Sequence, residues 1–521
     1  MKRTYRSVVL LTLGLLMSEA LAQRVGDYRS NGTGGGNWSA PATWQRFNGT
    51  TWVQATTPPT GTNQTITVRS TDSVYVDVAA VISDTLKNQG RLGGGTNLTI
   101  ANGGVFQHDQ DAGSLPRATW AVGSKLLLTG TTSTAPDNRS QNFHHVEFNT
   151  PGLLSNLNMG WDSVTIGGDV RVVNTGSARW YMTTALAGDS SIFSIMGDVI
   201  VTGGQFSVNG TSNANTKFVV HHYGNIIVTG GNLSISRGSQ GSGSGSTRWY
   251  LHNGNFSMSN ATTQNSNPTN AWFVFDKPGT QTLTLGANNT LNSLPIEVKG
   301  GTRLDMGLSK LRGSGLFTLN PGAMLITAQP GGVDSAVSVT GTVTMTGASF
   351  MFTGAGVQVT GLTMPTTVDT LAINPANSTD TVRLSQPTTI TGRLRLMRGV
   401  FDNRIPFTLG PNAQISFEGG TLLVTSVDEA SGIPTTFFVE QNYPNPFNPS
   451  TTIRYGLPSE SFVTIKVYNL LGQQVATPFS GRQSAGVHAV FVDASKMPSG
   501  VYFYRVQAGS SAITRKMTVV K

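Results

Sequence analysis

A glycine, an aspartate or asparagine, and an apolar residue recur as Gly168-Asp169-Val170, Gly197-Asp198-Val199, Gly224-Asn225-Ile226 and Gly254-Asn255-Phe256. From one glycine to the next the sequence number steps by 29, 27 and 30. Each unit opens a stretch alternating between apolar and polar residues, such as Val199 to Val201 or Ile226 to Val228, followed by a glycine turn and a second such stretch. A period near 28 built from two or three short strands and turns is what one coil of a β-solenoid requires. A longer echo pairs Leu294 with Leu371, Leu304 with Leu384, Gly313 with Gly392 and Leu316 with Leu394, at offsets of 77, 80, 79 and 78. The reading is an all-β chain with a right-handed parallel β-helix passenger of about 11 to 14 coils, on the order of 50 to 70 Å long. Tandem β-sandwiches are the alternative, because they also read as strands and turns.

Composition agrees with strands rather than helices. Only 12% of residues are charged and 62 are glycine, while the good helix formers are thin. The absence of cysteine excludes disulfides and thiolate metal sites. At the N-terminus Lys2, Arg3 and Arg6 precede an apolar run from Val8 to Met17, and Ala20-Leu21-Ala22 stands before Gln23. This is the pattern of a signal peptide over residues 1–22, cleaved between Ala22 and Gln23. No later stretch reaches the length of a membrane span, so the mature chain is expected to have no transmembrane segment. The net charge of +9 belongs mostly to the ends: residues 1–22 carry +2 and residues 434–521 carry +5, leaving +2 for the body. A body so nearly neutral has no field for nucleic acid.

The last region, residues 434–521, is a second string of strands. Ile453, Tyr455 and Leu457 alternate, as do Val463, Ile465 and Val467, with turns at Gly472, Gly486, Gly500 and Gly509. This spacing suits a small Ig-like β-sandwich. Pro444, Pro446, Pro449 and Pro458 cannot donate ladder hydrogen bonds, so they place an extended lead-in or edge before it. The run Pro444, Asn445, Pro446, Phe447, Asn448, Pro449, with Thr451-Thr452-Ile453, the block ending at Gly472, the Gly500-Val501-Tyr502 turn and the terminal Lys516 to Lys521, resembles the type A C-terminal sorting domain of type IX secretion cargo. The resemblance implies export of a secreted protein to the cell surface or medium, handled by the type IX translocon and its sortase-like machinery. It further implies removal of this domain, with attachment to surface lipopolysaccharide on the outer membrane exterior, or release.

Residues 23–130 form a head containing Trp38, Trp44 and Trp52, and residues 131–433 carry the solenoid repeats. The head resembles the tryptophan-bearing opening of β-helical cargo of this type, and residues 382–420 resemble its coil repeats. The tryptophans read as a cap over the first coil, or as a platform for stacking a glycan. Asp109 and Asp111, two apart, are the catalytic candidates, as paired carboxylates for glycoside cleavage or as Ca²⁺ ligands. His144-His145 and His221-His222 would point to opposite faces of a strand, so neither pair chelates one metal by itself. Asp169, Asp198, Asn225 and Asn255 should stack at one corner, bonded to turn backbone, or less simply as a Ca²⁺ ladder. The glycine-serine run 238–245 lacks a following Lys-Ser/Thr and reads as a flexible loop. No cofactor is required by this reading.

Three functions follow as expectations. The first is a non-catalytic structural or adhesin-like surface rod. The second is a β-helical polysaccharide lyase or glycoside hydrolase, and the third a glycan-binding surface protein. A groove with carboxylates or basic residues converging from three adjacent coils favours the enzyme; a uniform Thr/Ser/Asn face favours the adhesin.

Overall fold

The computed structural model describes residues 23–183, 190–211, 215–238, 245–267, 269–287, 289–423, 434 and 436–520. The proposed signal peptide with Ala22, most of the glycine-serine run and Lys521 lie outside these residues. The regular secondary structure is almost entirely strand, and residues up to 423 wind into a parallel β-solenoid of about 15 turns.

One lateral face can be followed through the register of its inward side chains. Ile66, Leu86, Phe106, Leu126 and Val146 lie side by side on successive parallel strands, at a constant step of 20 in sequence number. The ladder continues through Val170, Val199, Ile226 and Phe256, where the step lengthens to 24, 29, 27 and 30. All of these side chains are buried. The alternation of the strand sends every second residue inward, so the shorter and the longer coils contribute equivalent apolar rungs. Each fully buried Val, Leu, Ile or Phe stabilises the stack by roughly 1.5 to 3 kcal/mol.

The strand Gly279–Leu285 joins the two halves of this face. Its Leu283 pairs with Phe256 of the preceding coil, and its Gln281 with Leu304 of the next. From there Leu304, Leu325, Phe350, Leu371, Leu394 and Ile415 form the inward ladder. Leu304 therefore aligns with Leu371 and Leu394, not with Leu384, and the longer echo of the sequence is not the coil register. Inward leucines occur on every face of a coil, so matching one leucine to another does not fix the face.

A second face runs from Thr165–Ile166 through Ser190–Ile195, Lys217–His222, Ser246–Leu251, Ala271–Phe275, Ile296–Val298 and Phe317–Leu319. A third is made of shorter ladders, among them Leu157–Asn158 to Asn232–Ser236 and Val357–Val359 to Thr421–Leu423. The first coil is closed by an antiparallel meander: Tyr28–Ser30, Trp44–Phe47 and Trp52–Gln54, with Tyr28–Ser30 also pairing in parallel with Thr65–Val68.

Residues 438–519 form a separate antiparallel sandwich. Phe438–Val439, Ser450–Leu457 and Gly486–Asp493 make one sheet; Gln474–Gln483, Ser461–Tyr468, Gly500–Ala508 and Ser511–Val519 make the other. Ile453, Tyr455, Leu457, Val463, Ile465 and Val467 all point into its own core.

Candidate functional site

Asp109 and Asp111 lie in the turn after strand Val105–His108, and each is occupied by a neighbouring coil. Asp109 accepts from Lys87 Nζ at 2.8 Å, Gln89 Nε2 at 2.8 Å and Thr129 Oγ1 at 2.8 Å. Asp111 accepts the backbone N–H groups of Thr132, Ser133 and Thr134 at 2.8 to 2.9 Å and the Ser133 hydroxyl at 2.8 Å. Desolvation pushes both carboxyls up, but these donors outweigh it and hold both below the usual carboxylate range. Both are thereby fixed as ionised staples between coils.

Trp38 and Trp44 are enclosed in the core, edge to face with centroids 5.1 Å apart, and Trp44 Nε1 donates to the Trp38 carbonyl at 2.9 Å. Neither has a free face on which a pyranose could stack. Trp52 is half-buried, and the Arg29 guanidinium lies 4.4 Å from its ring centre.

The glycine-Asx corner is a continuous hydrogen-bonded ladder. Asp169 Oδ1 accepts the N–H of Asp198 at 2.9 Å, Asp198 Oδ1 that of Asn225 at 2.7 Å, Asn225 Oδ1 that of Asn255 at 3.0 Å, and Asn255 Oδ1 that of Thr282 at 2.8 Å. The ladder starts one coil earlier, where His145 Nδ1 accepts the N–H of Asp169 at 2.9 Å. That contact places any proton of the neutral ring on Nε2, and desolvation together with His144 lowers the His145 pKa.

Beside this start the outward side chains of three adjacent coils form a shallow groove. Lys125 comes from one strand, His145 and Glu147 from the next, Arg171 from the third and Asp169 from the corner just before it, with Gly103 and Gly123 also in the lining. Glu147 Oε2 is 3.2 Å from Lys125 Nζ and 3.9 Å from Arg171 Nε. Sequence reasoning missed this cluster, because its members are scattered between positions 125 and 171 and no motif links them.

On the second face, strands 217–222 and 246–251 bring His221 beside Tyr250 and His252. His221 Nδ1 lies 2.9 Å from His252 Nε2, and His252 Nδ1 lies 3.3 Å from Asp276 Oδ2. The two imidazoles are nearly parallel, 12° apart, as is the stacked Tyr250 ring. His222, the sequence neighbour of His221, points the other way, into the core, and its Nε2 donates to the Gly197 carbonyl at 2.8 Å. Among the described residues no three His, Cys, Asp or Glu side chains are grouped to hold a metal ion. No described helix is long and apolar enough to cross a membrane.

In the sandwich, the proline-rich lead-in docks along the last strand. Asn445 Oδ1 accepts the N–H of Thr518 at 2.9 Å, Phe447 is buried, and its N–H and C=O bond to Thr518 and Val520. Thr451 Oγ1 donates to the Pro444 carbonyl at 2.7 Å. Pro446 and Asn448 are exposed, Pro449 is half-buried and its carbonyl accepts the Ala494 N–H. Gly472 has φ +76° in the turn after Tyr468, a conformation that favours glycine, and Tyr502, beyond Gly500, donates its hydroxyl to the Pro498 carbonyl at 2.9 Å.

No curated protein and no solved structure matches the chain. Residues 441–520 match the family of secretion system C-terminal sorting domains. With a β-solenoid ahead of that domain, the chain has the make-up of a type IX secretion cargo protein, exported from the cell to its surface or surroundings.

Proposed function

We propose that the solenoid is the delivered passenger and acts outside the cell as a non-catalytic structural or adhesive rod, with residues 1–22 and the terminal sandwich serving export. On this reading the sandwich is removed by the sortase-like machinery and the rod is attached to lipopolysaccharide or released. The observation that supports it is the use of Asp109 and Asp111: Asp109 is held by Lys87 and Gln89 of the preceding coil and Thr129 of the following one, and Asp111 by four hydrogen bonds from residues 132–134 of the following coil, which is a stapling role. The test is the secreted protein itself. Its termini, read by mass spectrometry in cell-surface and medium fractions, should begin at Gln23 and lack Lys521. The purified protein should bind cells or matrix without cleaving any member of a polysaccharide panel. Turnover of a polysaccharide would overturn the non-catalytic reading.

A second reading is favoured by the groove of Lys125, His145, Glu147, Asp169 and Arg171, which meets the condition set for a β-helical lyase or hydrolase: ionisable groups converging from three adjacent coils. Cations flanking a carboxylate there suit an acidic saccharide. Cleavage that survives Asp109→Ala and Asp111→Ala but is lost in Lys125→Ala and Glu147→Gln would place the activity in this groove.

A further inference from the structure

Beyond Gly279–Leu285 the first face turns a further set of side chains outward, on either side of the inward Leu304, Leu325, Phe350, Leu371 and Leu394. Along one row Arg303 pairs with Met324 and Met324 with Ser349, and on the next two strands Thr370 pairs with Arg393. Along the adjoining row Asp305, Ile326, Met351, Ala372 and Arg395 stand side by side. Met324, Ile326, Met351 and Ala372 pack together on this outer side, with Met397 against them. The face therefore carries an apolar strip with arginines at both ends. Arg303, Met324, Asp369, Arg393, Arg395 and Gln414 line one groove over it, running along the rod axis.

The charges of this groove are unequally engaged. Arg395 is neutralised by Glu418, with Nε to Oε1 at 2.9 Å and Nη2 to Oε2 at 2.7 Å. Asp369 Oδ2 accepts the hydroxyls of Ser349 at 3.2 Å and Thr370 at 3.1 Å, and Asp369 forms no ion pair among the described residues. Arg393 reaches only Gln414 Oε1, at 3.4 Å. Arg303 is exposed and has neither a hydrogen bond nor an ion pair among the described residues. In the groove of Lys125 and Arg171, by contrast, Glu147 lies between the two cations.

Arg303 and Arg393 are four coil steps apart on one row. At ~4.8 Å per step their strands are separated by about 19 Å. A small anion held by one guanidinium leaves the other unused, whereas a linear chain with an anionic group on each unit engages both. A guanidinium holds a carboxylate or sulfate by two parallel hydrogen bonds, and an apolar lining such as Met324 suits the C–H faces of sugar rings. We propose that this groove binds a linear acidic polysaccharide along the rod axis, with Arg303 and Arg393 each holding an anionic substituent. That ligand class gives the adhesive rod its partner and rests on that reading of the solenoid.

The test uses the full-length protein and polygalacturonate, a linear chain with a carboxylate on every sugar, followed by calorimetry and affinity electrophoresis. Binding should weaken as salt is raised and be absent with neutral dextran. Arg303→Gln and Arg393→Gln should each weaken it roughly three- to tenfold, and together by ~10- to 100-fold. A Lys125→Gln/Arg171→Gln double variant of the other groove should bind as the parent does, and circular dichroism checks that each variant is folded. Unaltered binding in the folded Arg303→Gln/Arg393→Gln variant would overturn the assignment. So would equal affinity for monomeric galacturonate, or for duplex DNA, which would reduce the effect to charge alone. Cleavage of the probe is followed separately: it would count against the non-catalytic rod and leave the two arginines as the binding groups.

Discussion

The Oδ1 atom of Asp198 accepts the backbone N–H of Asn225 from the following coil at 2.7 Å. The same bond is repeated by Asp169 before it and by Asn225 and Asn255 after it, so a side chain and not the strand ladder satisfies the backbone at this corner. Aspartate and asparagine interchange along the ladder because each needs only one acceptor oxygen. Asp198→Asn should therefore melt within about 0.5 kcal/mol of the parent. Asp198→Ala leaves the Asn225 N–H without its partner and should lose about 1 to 3 kcal/mol. Chemical denaturation of both variants decides it, and equal midpoints would show that the oxygen contributes nothing.

The glycine before each Asx is required by space. A Cβ at Gly224 would lie 2.1 Å from the Gly197 carbonyl oxygen, and one at Gly254 would lie 1.7 Å from that of Gly224. Both obstacles are backbone of the previous coil, which cannot swing aside as a side chain can. Gly224→Ala should cost on the order of 3 kcal/mol, the upper end of overpacking losses, and more than Asp198→Ala. A lower denaturation midpoint or a fall in soluble yield is the expected result; a midpoint equal to the parent's would mean that the coils separate locally to admit the methyl group.

His222 gives the solenoid a definite acid response. Its Nε2 donates to Gly197, while its buried Nδ1 has no partner, and burial lowers its pKa to about 4. A histidine whose folded pKa lies below its unfolded value of ~6.5 favours the unfolded chain when protonated. Stability is thus unaffected above pH ~6.5, falls as pH drops towards 4, and is reduced by about 3 kcal/mol below that. His222→Gln can keep the donor to Gly197 and cannot titrate, so its stability should be flatter between pH 4 and 6.5. His108, also buried with an unpartnered Nδ1 and a lowered pKa, leaves a residual slope of the same sign. Parallel slopes for parent and variant would rule out His222 as the source.

How much of this was legible depended on whether a polar residue marked the repeat. Asp169, Asp198, Asn225 and Asn255 announced their corner because glycine and Asx recur together, and the alternation of Ile453, Tyr455 and Leu457 announced the sandwich. The short coils from Ile66 to Val146 went unread because their rungs differ in identity and no polar residue repeats with them. His221 and His252 were unreadable as a pair. The step from Val199 to Ile226 differs from that between Ile226 and Phe256, and a shift of one residue turns a side chain to the other face. For the same reason His221 was weighed with His222, which the strand sends into the core.

Tyr504 ties the proline-rich lead-in to the sorting sandwich. From the sandwich core its hydroxyl donates to the Glu440 carbonyl at 2.7 Å and accepts the Asn442 N–H at 2.9 Å, two residues ahead of Pro444. Tyr504→Phe keeps the ring and its packing but strands a backbone donor, that of the buried Asn442, and an acceptor. The expected loss is about 1 to 3 kcal/mol, confined to the sandwich. Because residues 441–520 are the sorting domain, the loosened lead-in should lower the amount of protein reaching the surface or medium while the solenoid remains folded. Quantitative blotting of cell and medium fractions, beside limited proteolysis of the retained protein, measures both. Undiminished export with a proteolytically released lead-in would show that translocation does not read this segment in its docked form.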